Sequence, residues 1–217
     1  MIRMSHKYGL QSFERQGLDA LVDHYSAHPD SDAWNTSGPF KQCPTAAESI
    51  GTIILARLTN RPMLLPMAMY SCCSAEGAAF IDGWKRGDGS VERLSDVDMK
   101  HIVTGRDALR VRDMQDRLKL FGQVPVSACP YKTRCTSAIL SNYSRLAANP
   151  GCLRGWPLHQ DDKTRISVVP SDLCEACKSH AATYAAEQRR QLWKDLPNIF
   201  GLATNGWGGS SLPSPSG

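Results

Sequence analysis

The chain has 217 residues, 41% of them hydrophobic and 21% charged, with a net charge of +4 and a pI near 8.6. That length buries a real core as one large domain or two small ones. A charge so slight, mixed in sign along stretches such as "RDALRVRDMQDRLK", marks a solvated helix face and argues against a polyanion-binding stripe.

The start "MIRMSHKYGLQSFERQ" lacks the apolar core of a signal peptide. "TIILA" and "PMLLPMAMY" fall far short of the ~20 apolar residues that span a bilayer. These features predict a cytoplasmic or nuclear protein with no membrane partner. The eight cysteines are then expected as reduced thiols or metal ligands, not disulfides.

In chain order, "SFERQGLDALVDHY" sets Phe13, Leu18, Leu21, Val22 and Tyr25 at helical spacing. "HPDSDAWNTSGPFKQCP" reads as a loop. Thr45 with Glu48 forms a capping box, and the helix it opens carries Ile50, Ile53, Ile54 and Leu58 as an apolar stripe. "RPMLLPMAMYSCC" is a short apolar helix, with Pro62 in its first turn and Pro66 marking a restart or kink. "GWKRGDGS" is a turn. Ser95 with Asp98 caps "SDVDMKHIVTG", which Gly105 is expected to end, and "RDALRVRDMQDRLKLFG" forms the next helix. A long helix runs from about Ser171, its expected cap, to Trp193. The tail "TNGWGGSSLPSPSG" offers nothing to bury and is expected to be disordered. No strand pattern is found. The prediction is an all-α, irregular helical array in which a cysteine-bearing loop packs on the C-terminal helix. Its expected core includes Ile53, Ile54, Leu58, Leu64, Leu65, Leu109, Leu118 and Leu192.

The cysteines carry the chemistry. Cys174 and Cys177 lie three apart at a helix start, on one face and near the positive end of the helix dipole, which favours thiolate. Cys129 and Cys135, in "CPYKTRC", form a second pair that a Pro-containing turn would gather. Two such pairs make a closed, four-thiolate structural zinc site. Two other readings stand beside it. Cys is among the most buried residue types, so a second reading makes the four core thiols. A redox CxxC belongs with a βαβ pattern, which is absent. His180 is a substitute ligand, Cys72 and Cys73 suit packing, and Cys43 and Cys152 receive no role.

Catalytic motifs are missing: no G-x-S-x-G, no G-x-x-x-x-G-K, no H-E-x-x-H. "HQDD" at His159–Asp162 groups acid-base residues but reads as a polar loop. No catalytic residue and no enzyme are expected.

Several stretches in one order carry a resemblance: "LARLTNRPMLLPMAMYSCC", "TGRDAL", "CPYKTRC", "DLCEACKSH" and "QLWKDLPNIFGL". Together they resemble the helical region that follows the POZ domain in BTB/POZ-domain proteins of mushroom-forming (basidiomycete) fungi. "HKYGLQSFERQGLDAL" looks like the last helices of such a POZ domain. On this resemblance, residues 1–30 are a POZ remnant, 44–202 the post-POZ region with its cysteine pairs, and 203–217 the tail. The POZ body would lie before Met1, so its usual dimerisation and cullin binding are not implied for this chain. The resemblance implies a non-catalytic protein–protein interaction module, the substrate-facing part of a ubiquitin-ligase adaptor, with an unidentified protein partner. The competing expectation is a zinc-stabilised, transcription-related nucleic-acid binder.

Overall fold

The computed structural model describes residues 1–25, 45–73, 79–148, 158, 170–204 and 207. The expected loop around Pro29–Pro44, the roles weighed at Cys43, Cys152 and His159–Asp162, and the end of the tail lie outside them. The helices are α1 (Ile2–Lys7), α2 (Gln11–Tyr25), α3 (Ala46–Leu58), α4 (Leu65–Cys73), α5 (Ala79–Asp82), α6 (Asp96–Gln123), α7 (Lys132–Ala148) and α8 (Glu175–Ile199). A 3-10 turn at Pro62–Leu64 precedes α4, and two short strands, β1 (Trp84–Lys85) and β2 (Val91–Glu92), follow α5. The fold is therefore all-α apart from one hairpin, as the helical periodicity predicts. Among the described residues no helix is long and apolar enough to cross a membrane. The chain divides into two compact units, Met1–Arg106 with Trp193–Gly217, and Asp107–Leu192.

In the first unit α3 begins as its sequence dictates. The Thr45 hydroxyl accepts from the Glu48 N–H at 3.2 Å, and the Thr45 N–H donates to the Glu48 carboxylate at 2.8 Å. The buried face of α3 is centred on Ser49, Ile50, Thr52, Ile53 and Ala56. Its two hydroxyls are affordable there because Tyr25 meets both, at 3.3 Å from Ser49 and 3.1 Å from Thr52. That orientation leaves Ile54 half-buried on the border and Leu58 46% exposed, which corrects their expected burial. Pro62 starts the 3-10 turn and Pro66 sits in the first turn of α4, where a missing N–H costs nothing. All of α4 is buried. Cys72 and Cys73 pack there, their sulfurs near the carbonyls of Ala46 (3.7 Å) and Ile102 (3.5 Å), and burial pushes the Cys72 thiol up to about 12. They are inert packing residues. In α2, Leu18 and Tyr25 are buried but Phe13 is exposed.

Two further expectations are corrected in this unit. "GWKRGDGS" is more than a turn. It closes a hairpin pairing Trp84 with Glu92, and Asp88 bonds the Ser90 N–H at 2.9 Å. Two-residue strands are too short to show period-two alternation. Gly105 does not end a helix. It lies in mid-α6, where the Phe200 ring occupies the place a Cβ would take. The glycine is there for close packing and not for a left-handed cap. Trp207 makes one specific contact beyond the end of α8. Pro197, inside α8, has no N–H to offer the Trp193 carbonyl four residues back, and the indole N–H of Trp207 donates to that oxygen instead, at 2.8 Å. The two indole rings lie 4.8 Å apart.

The second unit is built from α7 and the parts of α6 and α8 within Asp107–Leu192. Leu109, Asp113, Arg117 and Leu120 form one buried ridge of α6 at helical spacing. Leu118 follows Arg117 by one residue, turns outward and is 48% exposed, contrary to expectation. The run read as a solvated face thus hides a buried ion pair, Arg117 Nε to Asp113 at 3.1 Å, beside the less enclosed pair Arg112–Asp116 at 3.0 Å. Leu192 is buried as expected.

Candidate metal centre

Three elements of the second unit bring Cys129, Cys135, Cys174 and Cys177 together. Cys129 sits in the segment after α6, on a turn closed by its own N–H to the Val126 carbonyl at 3.0 Å. Cys135 is not in that loop, as the sequence reading has it, but on the first turn and a half of α7. The helix expected from Ser171 begins at Glu175, so Ser171 does not cap it. Cys174 therefore stands at the N-cap and Cys177 within the first turn.

All four side chains are buried, and their sulfurs lie within 4.8 Å of one another. None is in a disulfide. Cys129 and Cys174 have their sulfurs 3.6 Å apart. A tetrahedral ion with bonds of about 2.3 Å would hold its sulfurs roughly 3.8 Å apart, so the cluster is already at metal-binding size. Around it pack Leu120, Val124, Ile139, Leu173 and Ala181, with Phe121, Val126, Ala138 and Tyr184 at the edge.

The polar surroundings of the sulfurs differ from one thiol to the next. The Cys174 N–H donates to the Cys135 sulfur at 3.3 Å, and the backbone N–H groups of Tyr131, Cys177 and Val126 favour the charged forms of Cys129, Cys174 and Cys177 respectively. A neutral thiol packed as a small hydrophobe needs no such donor. A thiolate does, because donors aimed at sulfur favour its charged form. At Cys174 that interaction prevails: chiefly the Cys177 N–H, with help from the neighbouring thiols, brings it down from 9.0 to about 7. Burial wins at Cys177, pushing it up to about 12, and also raises Cys129. Cys174 is thus the sulfur whose surroundings draw it towards thiolate.

The four residues singled out from spacing are the four the fold assembles. His180 is not among them; its Nε2 pairs with the Gln123 side chain at 3.1 Å. What sequence reasoning missed is the set of backbone donors and the use of Cys174 as a cap. The only sequence signal for the latter was the acidic Glu175 opening the helix right after it. No family model matches the chain, and no curated protein or solved structure is significantly similar to it.

Proposed function

We propose that this chain is a non-catalytic protein–protein interaction module whose second unit is organised by one structural zinc ion on Cys129, Cys135, Cys174 and Cys177. The observation that carries the metal reading is the buried cluster of four sulfurs within 4.8 Å of one another. Four-sulfur tetrahedral sites take zinc or iron, and four protein ligands leave no open position for activating water. A metal held this way supports shape and not turnover. That, with the missing catalytic motifs, favours a binding role; the BTB/POZ resemblance suggests the substrate-facing part of a ubiquitin-ligase adaptor.

The nucleic-acid reading would want a basic face beside the cysteines. The exposed charges flanking them are mixed, Lys132 and Arg134 against Asp172 and Glu175, so the protein partner is preferred.

Elemental analysis of chain purified without chelator tests the metal. About one zinc per chain is expected, lost in Cys174→Ser. Iron in its place would revise the ion. Metal-free protein whose melting ignores a strong chelator would leave four buried thiols and no site. Affinity capture with mass spectrometry tests the role: ligase subunits are expected, whereas chromatin proteins or nucleic acid would favour the competing reading.

A further inference from the structure

We propose that the cleft at the start of α6 docks a short acidic segment of a partner protein, one that places a Glu or Asp side chain next to an aliphatic one. This rests on the protein-interaction reading above and says where on the chain the contact is made.

The cleft lies wholly within the first unit and encloses about 640 Å³, within the range of sites that hold a ligand or a few residues of peptide. Its floor is apolar: Leu65 is buried there and Ile54 and Leu202 are half-buried. Val97, exposed, carries that apolar surface out past the rim. Such a floor suits a chain that enters and leaves more than an enclosed small molecule.

The charge of the rim selects the occupant. Arg57, Arg93 and His101 line the cleft, and Asp98 is the acid among its lining residues. Asp98 is already committed. One carboxylate oxygen accepts from Arg57 Nε (3.1 Å) and a terminal guanidinium nitrogen (2.6 Å), and the other accepts from the Ser95 hydroxyl at 2.8 Å. The same contacts hold Arg57 in place, so its remaining guanidinium N–H groups are presented with little further loss of freedom. Arg93 and the His101 ring have no hydrogen-bond partner among the described residues. An apolar segment alone would leave the guanidinium groups unanswered, and a purely acidic one would leave the floor wet. A segment carrying both kinds of side chain satisfies both, with the charge giving register and rate of encounter.

The test uses the full chain and fluorescence anisotropy with a pool of labelled hexapeptides, each holding two Glu and two Leu. The pool should bind, more weakly as salt is raised. Arg93→Glu should weaken binding about tenfold or more, while Arg93→Lys keeps most of it. Circular dichroism checks that both variants are folded, which the exposure of Arg93 leads one to expect. No binding by the pool, equal binding by a matched pool with Lys in place of Glu, or unchanged affinity in Arg93→Glu would each overturn the proposal. The parent reading fails separately. If partners captured by the wild-type chain are kept by Arg93→Glu, the cleft is wrong and the interaction module stands; if the wild-type chain captures none, the module itself is wrong.

Discussion

At Cys174 a single sulfur serves two purposes. It accepts the Cys177 N–H at the opening of α8, as a Ser or Asp cap would, and it faces the other three thiols. Cys174→Ser therefore separates the roles, since a hydroxyl caps a helix well and binds zinc poorly. The sign of its pH dependence follows from the lowered value. A thiol brought from 9.0 to about 7 stabilises the metal-free fold most above pH 9, and that contribution is lost as pH falls through 7. The melting difference between metal-free wild type and Cys174→Ser should shrink over that window; a difference constant with pH would contradict the assignment. Residue-scale burial makes another prediction. Ile53 is fully buried and Ile54 is half-buried at the cleft. Ile53→Asp should cost several kcal/mol, on the order of an unpaired buried carboxylate, and unfold the region, whereas Ile54→Asp should cost much less. Urea melts of the two variants check the order.

Among the elements, α6 teaches most. Its 28 residues were read as two helices because Gly105 looks like a terminator between two amphipathic stretches. The glycine instead admits the Phe200 ring, a partner that comes from 95 positions further along the chain and leaves no local trace. Gly105→Ala should destabilise the fold by about 1–3 kcal/mol through overpacking, and adding Phe200→Leu should recover part of it. Thermal melts of the single and double variants check this, and additive losses would refute the contact. What was legible was local: the box at Thr45 and Glu48, the prolines of "RPMLLP", and the two cysteine pairs. What was not legible depends on distant neighbours. Leu58 and Leu118 match apolar templates yet face outward, because the orientation of a helix is set by its packing partners and not by its own stripe. Asp113 and Arg117 match a polar template yet face inward, where Arg117 Nε pairs with Asp113 while its Nη1 has no partner among the described residues.

For the molecule as a whole, the four sulfurs belong to one of its two units and the cleft to the other. A structural metal contributes folding free energy where its ligands are, on the order of 10 kcal/mol for such sites. Chelation should therefore speed hydrogen exchange in α7 and the opening turns of α8, while α3 and α4 keep their protection. Mass-spectrometric exchange with and without chelator reads this out directly. A uniform loss of protection throughout would mean that the ion stabilises both units alike.

The division of the chain also orders events during its synthesis. The unit that holds the cysteines is one continuous run, finished once Leu192 has been made. The other is assembled from two runs, and the second, with Leu196 and Phe200, is translated only afterwards. Until then nothing fills the notch at Gly105. In order of synthesis, the cysteine-bearing run is therefore complete before the last run that the first unit needs.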